Sequence, residues 1–180
     1  MIRRLLSRPV AWIVLVVVLA GAGFGLYWFT PWKLFTNDVA HDQLSTVAPS
    51  AGAGAGTSTC PCLLAQATFI SHEHTTTGTA RIVKLADGSR RLELVGLDTS
   101  NGPDLHVWLT DQKVVPGAAG WKVFDDGRYL DLGPLKGNRG DQAYEIPADL
   151  ELSQYHSVTV WCQRFSVSFG AADLDPITGA

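Results

Sequence analysis

Several things that mark common functions are scarce in this sequence. It has no surplus of positive charge: 14 Lys and Arg stand against 17 Asp and Glu, for a net charge of -3. Three of the basic residues, Arg3, Arg4 and Arg8, precede the first apolar run, so the rest of the chain is acidic, at about -6. An acidic domain lacks the electrostatic footprint that phosphate backbones require, which excludes nucleic acid as a partner. No Gly-Lys-Ser/Thr follows the glycine-rich stretch at residues 133–140, so it is not a phosphate-binding loop. There is no helical pair of histidines four apart, no nucleophile–base pattern and no other specific metal motif, so nothing identifies a classical enzyme. Beyond the N-terminus no window carries a 3.6-residue apolar stripe, which argues against helical layers. Cysteine is limited to Cys60, Cys62 and Cys162, an odd number that leaves one thiol over in any pairing.

One long hydrophobic run is present. Val10 to Phe29 carries no charge, and about 20 residues at about 1.5 Å each span the roughly 30 Å of a hydrocarbon core. Basic residues cluster before the run, which puts residues 1–9 in the cytoplasm and everything after the run outside. Tyr27, Trp28 and Trp32 fall where an interfacial aromatic belt sits. The run is too long, and its end too bulky, for an excised leader, so residues 10–29 read as an uncleaved single-pass anchor in the cell membrane. Gly21 and Gly25 are spaced for close packing of two such helices.

Residues 30–59 read as a juxtamembrane segment followed by a flexible linker. The part from Ser45 to Thr59 is built from Ala, Gly, Ser, Thr, Val and Pro and has too little large apolar surface to fold. Residues 60–180 read as the extracytoplasmic domain. Seven short β-branched and aromatic segments are expected as strands: Ala67–His74, Thr79–Leu85, Arg90–Val95, Leu105–Thr110, Gln142–Ile146, Ser157–Cys162 and Phe165–Gly170. Asp87-Gly88 marks a hairpin, and alternation points Leu92, Leu94, Leu105, Val107 and Leu109 inward. The expected fold is all-β, a sandwich or small barrel of seven to nine short strands. Val158, Val160 and Cys162 share one parity, whereas Phe165, Val167 and Phe169 share the other. Both sets face the core only if the chain slips at Gln163-Arg164.

Two groups could carry chemistry. Cys162, inward at the end of a strand, is either a disulfide partner of Cys60 or Cys62, or a redox-active or ligating sulfur. His72 and His74 share one face if the segment is a strand. Their imidazoles then suit a transition metal or haem iron, with Cys162 as a further ligand if the three converge.

Taken together, several segments resemble the DM13 electron-transfer domain family. They are Phe69…His74…Gly78-Thr79-Ala80, Gly102-Pro103-Asp104-Leu105-His106-Val107-Trp108-Leu109, the run from Asp131 to Pro147, and the run from Val158 to Ala172. The resemblance covers about residues 64 to 175. It implies an all-β extracellular domain whose hallmark cysteine corresponds to Cys162, acting as a thiol or through a bound group such as haem. A redox partner protein then follows. The competing expectation is a non-catalytic module that binds a wall component, carbohydrate or protein through Trp108, Trp121 or Tyr129.

Overall fold

The computed structural model describes residues 9–47 and 61–174. Arg3, Arg4, Arg8, Cys60 and most of the Ala/Gly/Ser segment lie outside the described residues. Pro9–Phe29 is one helix, α1, with no residue buried against the rest of the protein. Its mean hydropathy of 2.3 makes it long and apolar enough to cross a membrane. A short 3-10 turn, Pro31–Phe35, follows it.

The rest is a β-sandwich of two five-stranded sheets. The strands are β1 (Val39–His41), β2 (Cys62–Thr68), β3 (Ile70–Ser71), β4 (Thr77–Lys84), β5 (Arg90–Asp98), β6 (Leu105–Thr110), β7 (Tyr129–Pro134), β8 (Arg139–Ile146), β9 (Ser157–Cys162) and β10 (Val167–Asp173). One sheet has the order β1-β8-β5-β4-β2, the other β3-β10-β9-β6-β7. Alternate residues of both sheets meet in a single core: Ala80, Ile82, Leu92, Leu94, Tyr144 and Ile146 from the first, and Val107, Leu109, Val158, Val160, Cys162 and Phe169 from the second. The Asp87-Gly88 hairpin forms as expected, with Gly88 at φ 86° and the Ser89 N–H donating to Asp87 Oδ1 at 2.9 Å.

Besides β7, a strand where none was expected, the fold differs from the sequence expectation in three places. The segment expected as one strand from Ala67 to His74 is split: β2 pairs with β4 in the first sheet, and β3 pairs with β10 in the second. The chain changes sheets at Phe69, whose side chain is buried in the core. Second, the slip between β9 and β10 is a four-residue turn, 163–166, that sets Val167 opposite Cys162. Phe165 therefore leaves the core and is 42% exposed. A bulge between Ser168 and Gly170 shifts the register again.

The third difference concerns residues 30–59. Part of this stretch belongs to the sandwich, because β1 pairs in parallel with β8. Gly140, at φ 95°, and Gly137 make room for it, since a Cβ at either would collide with the backbone of Ala40 or Asp38. Ser45, expected at the start of a loose linker, is instead pinned to the first sheet. Its N–H donates to Glu93 Oε1 at 2.8 Å, and its carbonyl accepts from Arg81 at 2.8 Å. Residues 48–60, which include the rest of the expected linker, lie outside the described residues.

Candidate functional site

Cys162 ends β9 on the inner face, opposite Leu105 of β6 and Val167 of β10, and is fully buried. Burial pushes its thiol up, and the Asp104 charge adds to the rise. The backbone N–H groups of Phe165, Arg164 and Asp104 oppose it without cancelling it. Cys162 is therefore a protonated thiol at neutral pH. Among the described residues Cys162 is a free thiol, and Cys60, one of the two partners expected for it, lies outside them. The other, Cys62, is set apart from it. Cys62 opens β2 at an edge of the first sheet, opposite Lys84, whereas Cys162 belongs to the second sheet and points into the core.

The structure does not bring Cys162, His72 and His74 together. β3 ends at Ser71, and both histidines lie in the bend that follows, so the strand geometry that would set them on one face is absent. His72 is buried, with Nδ1 2.8 Å from Ser168 Oγ and its ring stacked on Phe124. His74 packs on the ring of Phe169, 3.9 Å between centroids, and pairs with Glu73 at 2.6 Å. Ser168 and Phe169 are successive residues of β10. Phe169 faces the core, while Phe124 belongs to the aromatic cluster outside it, so the imidazoles approach the second sheet from opposite sides. Burial lowers the His72 pKa, against a weaker opposing effect of the Val115 carbonyl. Among the described residues no three His, Cys, Asp or Glu side chains form a metal-ligand set.

A cluster that sequence reasoning passed over lies around Cys162. Asp104 and His106 flank Leu105, the direct cross-strand partner of Cys162. His106 Nδ1 is 2.9 Å from Asp131 Oδ2, and its Nε2 is 3.6 Å from Asp104 Oδ1. Gln163 Nε2 donates to Asp131 Oδ2 at 2.9 Å. One imidazole is thus held between two carboxylates, just outside the strand that ends in the sulfur. The two-residue spacing of Asp104 and His106 was visible in the sequence, but the β6–β7 pairing that brings Asp131 alongside was not. Beside it, Lys33, Asp38, Gly102, Pro103, Asp104 and Leu105 help to line a cleft of about 150 Å³.

The residues present do not fit a haem at Cys162. The sulfur has no exposed surface, no imidazole lies across from it, and the neighbouring cleft is smaller than the roughly 300 Å³ at which ligand pockets begin. The recognition face expected from the aromatics is also reduced. Trp108 is only 5% exposed and Trp121 packs against the core, which leaves Tyr129, 46% exposed. The glycine-rich loop is structural: Gln142 Oε1 accepts from the Lys136 N–H at 3.0 Å, and its Nε2 donates to the Gly137 carbonyl at 2.7 Å.

This end of the sandwich also meets the anchor. Arg164 Nη1 donates to the Trp28 carbonyl at 2.6 Å, and its guanidinium lies 5.2 Å from the Trp28 ring centre. Phe165 stacks on Phe29 at 6.0 Å. A family model described as Electron transfer DM13 matches residues 68–174, which include every strand from β3 to β10. No curated protein and no solved structure matches the chain.

Proposed function

The chain belongs to the electron-transfer DM13 family, and on that premise we propose that it is a membrane-tethered, extracytoplasmic electron-transfer module whose redox group is the Cys162 sulfur. The observation that carries this reading is the pairing of a sealed, protonated thiol with an outlying proton-accepting cluster. Burial keeps peroxide and second thiols away from the sulfur, so sulfenic acid and disulfide chemistry are disfavoured. One-electron chemistry needs no such contact. Cys162 gives one electron to a one-electron oxidant, the metal or haem centre of a partner protein. Its S–H bond breaks, the proton passes to the Asp104 carboxylate, and a thiyl radical remains. The return of one electron and one proton restores the thiol. Asp104, with 38% of its side chain exposed, passes the proton on to solvent, and His106 lies between it and Asp131.

Location supports the same reading. The turn that follows Cys162 touches the end of α1, so the sulfur lies at the membrane-proximal tip. A helix that packs its last turn on the mature domain has a role that an excised leader would lose, which favours an uncleaved anchor. The basic residues at the N-terminus favour a cytoplasmic start and an outer domain.

Voltammetry of the full chain in lipid nanodiscs tests the proposal. The expected result is a one-electron wave whose midpoint falls by about 59 mV per pH unit, the value for one proton per electron. Cys162→Ala abolishes it, while replacing Cys60 and Cys62 together leaves it in place. A native chain with no wave, or a wave that survives Cys162→Ala, overturns the assignment.

A further inference from the structure

A sealed sulfur that exchanges electrons needs a route to the surface, and the neighbouring residue begins one. Trp161 precedes Cys162 on β9, so its ring points to the outer face of the sheet. Trp108 of β6 stacks on it with centroids 5.1 Å apart, and Tyr129 of β7 stacks on Trp108 at 4.0 Å with the planes only 6° from parallel. The three rings form a diagonal across three strands. Trp108 lies directly opposite Thr159 and Asp131, so Trp161 and Tyr129 are each two residues off its register. Diagonal neighbours stay within reach of one another when the side chains are aromatic or long. The diagonal runs from a ring that is 1% exposed to one that is 46% exposed. Tyr129 opens on a cleft of about 340 Å³ that it shares with Asp125, Asp131 and Gln163.

The indole at position 108 has its Nε1 buried without a hydrogen-bond partner, as has Trp121 off the diagonal; the stacked diagonal, not the unpaired N–H, sets Trp108 apart. Indole and phenol are the most readily oxidised aromatic side chains, whereas phenyl is not. An indole N–H with no acceptor keeps its proton when an electron leaves, so charge passes through it as an electron alone. Phe124, on the other side of Trp161, is an edge contact at 6.3 Å and ends the conducting series there.

We infer that Trp161, Trp108 and Tyr129 form the electron route between the Cys162 sulfur and a docking point for the redox partner at Tyr129. This rests on the electron-transfer reading given above. The partner's one-electron oxidant takes an electron at Tyr129, whose phenolic proton leaves to solvent and returns when the ring is refilled. Trp108 refills Tyr129, Trp161 refills Trp108, and Cys162 supplies the last electron while its proton goes to Asp104. The three rings end as they began, and one electron and one proton have left the thiol.

Voltammetry of the full chain in nanodiscs separates this inference from its premise, because wave amplitude reports the sulfur and exchange rate reports the route. In Trp108→Leu the amplitude should persist and the rate fall at least tenfold. Tyr129→Phe, a change at the exposed end, should slow exchange at least threefold. Trp121→Phe removes a half-buried indole whose N–H also lacks a partner but which lies off the diagonal, and it should leave the rate unchanged. A Cys162-dependent wave whose rate is unaltered by Tyr129→Phe and Trp108→Leu overturns the route and spares the premise. The same holds if Trp121→Phe slows exchange as much as they do. If Trp108→Leu fails to fold, Tyr129→Phe decides. A native chain with no wave removes both.

Discussion

The two outer faces of the sandwich are covered in opposite ways. On the first sheet the cover is ionic: Glu93, fully buried, accepts from Arg81 Nε and from the Ser45 N–H, both at 2.8 Å, and forms an ion pair with Arg91 at 3.1 Å. On the second it is aromatic: Trp161, Trp108 and Phe124 pack together, with Val114 and Val123 from the loop between β6 and β7 against them. The ionic cover holds Ser45 against the sheet, with the Glu93 carboxylate satisfied by Arg81 and Ser45. The aromatic cover ends in an exposed phenol. Each cover leaves a donor without a hydrogen bond, Arg91 Nε on the ionic side and Trp108 Nε1 on the aromatic side. What separates them is chemistry: charged groups hold an ion partner, whereas stacked rings can pass an electron.

Removing either cover tests the contrast. Phe124→Ala should cost the most, about 3–5 kcal/mol for a fully buried phenyl, read as a drop in denaturation midpoint with a red-shifted tryptophan emission. Glu93→Gln leaves Arg81 and Arg91 without a buried counter-charge and should cost about 3 kcal/mol, with tryptophan emission of the native state unchanged. If both variants shift emission alike, the two faces are not independent.

Acid should undo the two faces in sequence. Burial, the largest influence on Glu93, pushes its pKa up, but the Ser45 N–H, the Ser45 hydroxyl and Arg81 together bring it below the usual value. Its stabilisation is therefore present above about pH 4.3 and is lost as the pH falls further. His72 is lowered by burial, so the folded state holds fewer protons than the unfolded chain. Its stabilisation is present above about pH 6.5 and begins to fade below that. A pH titration of the denaturation midpoint should show two stages. His72→Phe should remove only the upper one, and a single stage below pH 4.3 in the native chain would contradict the assignment.

Smaller effects follow at the sulfur and the exposed ring. Cys162→Ser puts a hydroxyl where no side-chain partner waits, at a cost of about 1–3 kcal/mol. Because burial holds the native thiol protonated, alkylation by iodoacetamide at pH 8 should proceed at the rate of unfolding. Fast labelling of the folded chain would show the sulfur to be open. Tyr129→Phe should change stability by less than about 0.5 kcal/mol. Its effect should be confined to electron exchange.

Alternation made the inner face readable residue by residue. Leu92, Leu94, Val107, Val158, Val160 and Cys162 point where their parity sends them, because a period of two is a local property of extended chain. The same local rule located the slip after Cys162, and the apolar run announced α1. The candidate site was legible only in its sulfur. The pairing of β6 with β7, which sets Asp131 beside His106 and Tyr129 on Trp108, joins residues more than twenty positions apart and leaves no periodic trace.

Sequence alone thus determined the β character, the inward thiol and an anchor-length helix, since each follows from backbone geometry or from apolar length. Tertiary structure alone decided that β1 joins the sheet, that the two histidines lie apart, and that three rings line up across strands. Those outcomes depend on which strands become neighbours, and neighbour choice is settled by burial of the whole core and not by any one segment.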